Sequence, residues 1–403
     1  MRLLFVVDAR SPIAINWIAY FSKAGHEVHL VSTFPADPPI PLASFSVVPV
    51  AFSAMKGTGT GAKETQATIP GRRNLNWQKW MSGTGVTLRT HLRQVLGPFT
   101  LPGAATQLRE VIEHLQPDLV HAMRIPYEGM LAGLALEAGG GPPLLLSIWG
   151  NDFTLHARST PLMARYTRLA LTKAKAIHAD CHRDIRLSLA WGFDPNKPNI
   201  VLPGSGGVQP SLFYPAKGVP EDPPVVLNPR GLRAYVRNDL FFQAAALVLK
   251  RFPQVRFVCT GMAGRAEAES KVKTLGIADR IDLLPVISRE AMAELFRQSQ
   301  VLVSPSTHDG TPNTLLEGMA CGCFPVAGDL ESLREWITPG VNGLLVELSS
   351  AQKLADAICL ALERSELRRQ AAKHNLALVR QHADYHQVMQ QAERFYRVVI
   401  AKR

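Results

Sequence analysis

Short apolar runs alternate with helix-length amphipathic stretches along nearly the whole chain, and the alternation restarts once. LLFVV (3–7), EVHLVS (27–32), DLVHA (118–122), PLLLSIW (143–149) and AIHAD (176–180) are separated by helical patterns at 15–25, 104–116, 127–138 and 161–174. After the proline-rich stretch 214–224, the runs VVLN (225–228), VRFVC (255–259), RIDLLPV (280–286), QVLVSPS (300–306) and CFPVAG (323–328) alternate with helices near 239–251, 265–275, 289–298 and 314–321. Nearly continuous apolar strands with intervening helices specify a parallel sheet covered on both faces. The expected fold is therefore α/β, with two Rossmann-like doubly wound parallel-sheet domains facing across a cleft. The 403 residues suit two such cores better than one. The expected boundaries are 1–213, 214–380 and a last helix, 381–403, that packs back towards the first domain. That helix presents Met389, Phe395 and Val398 on its apolar face and Arg394 and Arg397 to water. Ligands of such sheets sit at the carboxyl ends of the strands.

Composition narrows the functional classes. With 46% hydrophobic and 19% charged residues the bulk of the chain cannot be disordered. No stretch approaches the ~20 consecutive apolar residues of a membrane span. The opening MRLLFVVDAR reads as a buried strand rather than a secretory leader, so a cytoplasmic location is expected. Five cysteines, an odd count, suggest no disulfide framework. Cys321-Gly-Cys323 lacks further ligands at metal spacing and reads as two small buried residues at a helix end.

Net charge is +11 and unevenly placed. Between 52 and 101 stand seven basic residues (Lys56, Lys63, Arg72, Arg73, Lys79, Arg89, Arg93) against Glu64 alone, a net +6. Trp77, Trp80 and Phe99 are interspersed, after a Gly/Thr run. This basic insertion is either a solvated loop with half-covered tryptophans or a segment that lies on an anionic membrane surface. No nucleic-acid module accompanies it, and no nucleic-acid partner is expected.

Two constellations carry chemistry. In HDGTPNTLLEGMACGCFPVAG (308–328) a strand end enters a tight loop and then a helix, a geometry that aims backbone N–H groups at an anion. Asp309 stands at its mouth and Glu317 eight residues later. Both can accept hydrogen bonds from sugar hydroxyls; alternatively, Thr314-x-x-Glu317 is a capping box. In NPRGLRAYVRND (228–239), Arg230, Arg233 and Arg237 leave the first strand of the second domain. Guanidinium groups at a sheet's carboxyl edge suit a pyrophosphate. The first strand is followed by Asp8-Ala9-Arg10-Ser11-Pro12, where Arg10 is either an anion contact or surface cover. A Gly-x-Gly-x-x-Gly loop is absent there, which argues against a Rossmann dehydrogenase.

The succession Arg230…Arg237, TGMAG (260–264), SPSTHDGTPNTLLEGMACG (304–322) and PGVNGLLV (339–346) resembles the retaining glycosyltransferases of family 4, which have the GT-B fold. NWIAYFSKAGHEVHLVS (16–32), PDLVHA (117–122), SIWGND (147–152) and PGSGGVQPSLFYP (203–215) are similar to the family's amino-terminal half. The resemblance implies a hexosyltransferase acting from a nucleoside diphosphate sugar, a UDP-sugar being the expected donor. The acceptor would be a glycan or lipid-linked molecule of envelope or exopolysaccharide synthesis, reached peripherally at the inner membrane face. It implies that Glu317 holds the ribose hydroxyls and Asp309 faces the donor sugar. Gly310, Thr311, Asn313 and Thr314, with Gly261 of the TGMAG turn, contact sugar and phosphate, while Arg230 and Arg237 neutralise the diphosphate. No Asp-x-Asp occurs, so no metal is expected. Three positions depart from the family pattern: Asp309 replaces a Glu, Pro312 a common Gly, and Trp149 a loop His. Asp152 and His121 are then the polar residues available at the acceptor. Alternative readings are a GT-B epimerase or phosphorylase and a non-catalytic nucleotide-sugar-binding scaffold.

Overall fold

The computed structural model describes residues 1–51, 53, 92–218 and 223–402. Most of the basic insertion, with Trp77 and Trp80, lies outside them; Arg93 and Phe99 lie inside. The chain forms two parallel sheets. The first joins β1 (Arg2–Val7), β2 (Glu27–Ser32), β3 (Ser44–Val47), β4 (Leu119–Ala122), β5 (Leu144–Ile148), β6 (Ala176–Ala179) and β7 (Asn199–Val201) in the order β3-β2-β1-β4-β5-β6-β7. The second joins β8 (Val225–Asn228), β9 (Arg256–Cys259), β10 (Ile281–Leu283), β11 (Val301–Ser304), β12 (Phe324–Gly328) and β13 (Leu344–Val346) in the order β10-β9-β8-β11-β12-β13. Strand order reverses beside β1 in one sheet and beside β8 in the other. These are the switch points where ligand crevices of open α/β sheets form.

By compactness the residues fall into two units, Met1–Leu146 with His156–Ala174, and Ser147–Leu155 with Lys175–Arg403. Residues 175–201, which carry β6 and β7, thus belong to the second unit.

Neighbouring residues of a strand point to opposite faces, and the second sheet uses both. Val226 of β8 packs with Phe241, Phe257 and Ile358, whereas Leu227 joins Phe296, Leu316 and Met319. In the first unit, Leu3–Val7 are at most 1% exposed, so β1 is central. The helix Pro12–Lys23 starts at Ser11, whose hydroxyl accepts from the Ala14 N–H, with proline at its first position. Its buried stripe, Ala14, Trp17, Ile18 and Phe21, follows the helical period.

Cys321 and Cys323 are buried and free, as are the other three cysteines. The last helix, Tyr385–Ala401, is capped by Asp384. Its buried stripe is Val388, Met389, Ala392, Tyr396 and Val399, while Val398 is 45% exposed. The expected apolar face was therefore misaligned by about one residue: steps of three and four from Met389 lead to Tyr396 and Val399 and leave Val398 some 100° away. The stripe meets the turn at 206–208 within the same unit, where the Val208 N–H donates to the Ala383 carbonyl at 2.7 Å. Gly206, at φ +83°, admits the Met389 sulfur where a Cβ would stand.

Candidate functional site

The loops that leave β8 and β11 are stitched together before any side chain enters the site. The Arg237 N–H donates to the Pro305 carbonyl at 2.8 Å, and the Thr307 N–H to that of Tyr235 at 2.8 Å. Asn228, fully buried, shapes the first loop by accepting from the Arg230 N–H and donating to Asn238. Arg230 is thereby aimed across the loop. One of its terminal nitrogens reaches Asp309 Oδ2 at 2.6 Å and the other Thr314 Oγ1 at 3.3 Å. The pair is 9% and 15% exposed, so solvent screens it far less than a surface pair.

The helix Asn313–Cys321 begins behind Pro312 with no side-chain cap. The alternative reading, a capping box, does not hold, because Pro312 takes the N-cap position and Thr314 stands in the first turn. Its hydroxyl is then free to meet Arg230. Glu317 projects from the same helix, 8% exposed, and pairs with Arg289 at 3.2 Å. Burial pushes its carboxyl up to about 7, although Arg289 pulls the other way. Arg289 stands at the start of the helix Arg289–Gln298, with its guanidinium carbon 5.3 Å from the Phe213 ring centroid. Nothing in the local spacing singled it out.

Gly310 has no room for a side chain, since a Cβ would fall 2.1 Å from Asp180 Oδ1. Thr311 spends its hydroxyl on the Asp180 carbonyl, at 2.5 Å, and on the Trp336 indole, at 2.9 Å. Asn313 accepts from the Ser205 hydroxyl at 2.8 Å. Gly261, at φ +71°, turns the loop after β9 and packs beside Gly231. Arg237 is not drawn into the cluster around Asp309: Asp239 holds it through two 2.8 Å bonds, with the Leu348 carbonyl at 3.3 Å. Asp152, fully buried, accepts from the Trp149 N–H at 3.0 Å and so shapes its own loop.

A hub missed by sequence reasoning lies at Arg183. Its guanidinium donates to the carbonyls of Asp309 and Gly150, each at 2.7 Å, and to Asp184 at 2.9 Å. Burial raises the Asp184 carboxyl against the pull of Arg183. The Asp180 carboxyl is raised well above its ordinary value by burial first, then by Asp184 and Asp309. Ligand atoms of Asp180, Cys181 and Asp184 lie within 4.8 Å of one another, and Arg183 already supplies the cation beside them. A single arginine within HRDI carries no periodic or motif signal.

The arrangement offers an uncapped helix start, a buried arginine that can exchange Asp309 for a ligand anion, and a carboxyl balanced between its two protonation states. Family models agree with that geometry. Residues 213–376 match the glycosyl transferases group 1 model, and residues 14–204 match a glycosyl transferase 4-like domain. The chain belongs to the family-4-like glycosyltransferases of GT-B fold. The D-inositol 3-phosphate glycosyltransferase of Geodermatophilus obscurus is 33% identical over 195 residues, 44% of this chain and 43% of that protein. Its Mycolicibacterium smegmatis counterpart is 29% identical over 184 residues, 44% and 41% of the two chains. The match thus spans less than half the length of these relatives. Sucrose-phosphate synthase from Thermosynechococcus elongatus shares the fold at TM-score 0.74 and 18% identity, over the whole of both chains. Anabaena HepE, solved in complex with UDP-glucose, does so at TM-score 0.68 and 17% identity, over 96% and 97% of the two chains. No described helix is long and apolar enough to cross a membrane.

Proposed function

We propose that this chain is a retaining hexosyltransferase that uses a UDP-sugar and a glycan or lipid-linked acceptor of envelope or exopolysaccharide synthesis. The observation that carries the reading is Arg230, buried and shared between Asp309 and Thr314 beside the uncapped start of the Asn313 helix. UDP-glucose bound to HepE, a protein of the same fold, supports the donor class. In this reading the bond from the anomeric carbon to the diphosphate breaks as the acceptor oxygen bonds to that carbon. UDP leaves and the acceptor hydroxyl gives up its proton. Arg230 and the helix N–H groups meet the charge that develops on the diphosphate, the contribution glycosyl transfer most needs. Arg237 joins them by releasing Asp239. Glu317, as the carboxylate, accepts from the ribose hydroxyls, and Asp309, once parted from Arg230, faces the sugar. Gly261, Gly310, Thr311 and Asn313 shape the backbone around it. Asp152 orients the Trp149 loop on the acceptor side. No metal is assigned a part.

Calorimetry against UDP-, GDP- and ADP-sugars, followed by NMR of the product's anomeric configuration, tests the proposal. A UDP-sugar should bind best and the product should keep the donor's configuration. Inversion, or nucleotide-sugar binding without either transfer or slow donor hydrolysis, would overturn it, the latter in favour of a scaffold. The peripheral membrane part rests on the charge and tryptophans of 52–101. Deleting that segment should abolish co-sedimentation with anionic vesicles, and equal sedimentation with neutral ones would sink that part.

A further inference from the structure

Arg183 has a task that the transfer reading leaves unassigned. It sits in the first turn of the helix His182–Ala190, whose N-cap residue, Cys181, makes no side-chain cap. The cap comes from elsewhere in the same unit: Glu335 accepts from the backbone N–H groups of His182 and Arg183, at 3.0 and 3.2 Å. A carboxylate there also suits the positive end of the helix dipole. The backbone of Arg183 is thereby fixed independently of its side chain.

The guanidinium reaches between two loops. Nη1 donates to the Asp309 carbonyl at 2.7 Å and to Ser332 Oγ at 3.2 Å, and the Ser332 hydroxyl donates to the same carbonyl at 2.8 Å. Nη2 donates to the Gly150 carbonyl at 2.7 Å. Asp184 steadies the other edge, its Oδ1 standing 2.9 Å from Nε and 2.8 Å from Nη2. Arginine presents its N–H donors as a rigid planar fork, and each nitrogen here already has protein partners. Arg183 is 7% exposed and Ser332 fully buried. The residue therefore acts through what it holds rather than by touching substrate.

What it holds are the two loops on which transfer depends. Asp309 belongs to the donor-side loop, and Gly150 lies between Trp149 and Asp152 on the acceptor side. A Cβ on Gly150 would fall 1.6 Å from the Gly310 nitrogen and 2.3 Å from the Asp309 carbonyl carbon, so the Gly150 backbone rests on the Asp309–Gly310 peptide. Contact alone leaves the loops free to slide along one another. The two carbonyls, each drawn to one terminal nitrogen of the same planar group, supply the register. Because the peptide is planar, fixing the Asp309 carbonyl also fixes the direction of the Gly310 N–H, away from Arg183.

We propose that Arg183 is a positioning residue for sugar transfer, whose guanidinium sets the register between the donor-side loop at Asp309 and the acceptor-side loop at Gly150. Transfer needs both reactants held in near-attack geometry, and a displacement of about 1 Å can cost about a hundredfold in rate. This consequence rests on the transfer reading above; the register does not.

The test compares Arg183→Lys and Ser332→Ala with wild type, all as the full chain. Lysine keeps a cation for Asp184, but its single nitrogen lacks the fork that spans both carbonyls and the carboxylate. Hydrogen exchange read by mass spectrometry should be at least about fivefold faster in Arg183→Lys over both 147–155 and 306–316. Ser332→Ala, which loosens only the Asp309 carbonyl, should speed exchange over 306–316 alone. Calorimetry should find UDP affinity within twofold of wild type in both variants. Slow hydrolysis of UDP-glucose should show kcat at least about tenfold lower in Arg183→Lys, with KM within threefold. Exchange at the wild-type rate in either loop of Arg183→Lys refutes the register, and a wild-type kcat refutes its part in the reaction. Equal losses of UDP affinity and kcat would reduce Arg183 to a structural residue. If Arg183→Lys fails to fold, Ser332→Ala decides: exchange over 306–316 and kcat must both change while UDP affinity holds. Wild type that does not hydrolyse UDP-glucose refutes the transfer reading and leaves the exchange comparison to decide the register.

Discussion

Each sheet edge holds a buried glutamate among arginines, yet the two edges are balanced differently. In the second unit the central arginines each have a carboxylate partner: Arg230 with Asp309, Arg289 with Glu317, Arg183 with Asp184. In the first unit Arg10 is answered by Asp8, while Glu128 is bonded to a neutral hydroxyl. A paired site must break ion pairs to admit its ligand, so its internal pairs set both stability and affinity. The difference teaches that similar residue types at equivalent strand ends can be held by different kinds of partner.

The largest effect is expected at Arg183, where the pairing of the second unit is most deeply buried. Arg183→Met would leave Asp184, 1% exposed, without its cation. Breaking a buried pair from one side costs about 3–5 kcal/mol, to be read by urea denaturation monitored by circular dichroism. A loss below about 1 kcal/mol would mean that the pair is dispensable and the contrast between the edges overstated.

Glu317 comes next. Its folded value, about 7, lies above its ordinary 4.5, so the native state holds a proton that the unfolded chain has given up between those values. The stabilisation is complete below about 4.5 and is lost as pH rises through 7. It amounts to about 2.5 kcal/mol between pH 5 and pH 8. Glu317→Gln should flatten that fall in stability. It should also weaken UDP-sugar binding about tenfold at pH 8, where the carboxylate prevails. A variant with the wild-type pH slope would show that Glu317 does not titrate in this range.

Arg230→Ala should reduce UDP-sugar affinity by one to two orders of magnitude, consistent with ~1.5–3 kcal/mol for hydrogen bonds to a charged group. Calorimetry that finds the affinity unchanged would remove Arg230 from the diphosphate. The smallest effect is expected at Arg237, whose partner Asp239 is half exposed. Surface pairs contribute little, so Arg237→Ala should lower affinity by less than fivefold. A loss equal to that at Arg230 would sharpen the picture by showing that Arg237 leaves Asp239 to meet the ligand.

Much of the fold was legible because burial on both faces demands continuous apolar strands, and β1, β2, β8 and β11 have them. The edge strand β3, with Phe45 and Val47 each 37% exposed, and the three-residue β7 lacked that signal and are defined by pairing. Arg230, Asp309, Thr314 and Glu317 could be found because strand-end loops and a helix start keep them at fixed spacing. Arg183, Arg289, Arg93 and Glu128 could not. Each is a charge in an ordinary helical or loop context, and apart from Asp184, adjacent to Arg183, the partners lie 28 or more residues away.

By itself the sequence determined two parallel sheets and the loops that carry Arg230, Asp309, Thr314 and Glu317, because local periodicity and turn chemistry are written in consecutive residues. The tertiary structure alone decided which charges meet. Pro312 took the N-cap position two residues before Thr314 and turned that residue from a cap into an arginine contact. Glycines without room for a Cβ let distant backbones close on Asp180 and Tyr127. Charge partnership is a matter of distance in space, and only the packed chain sets that distance.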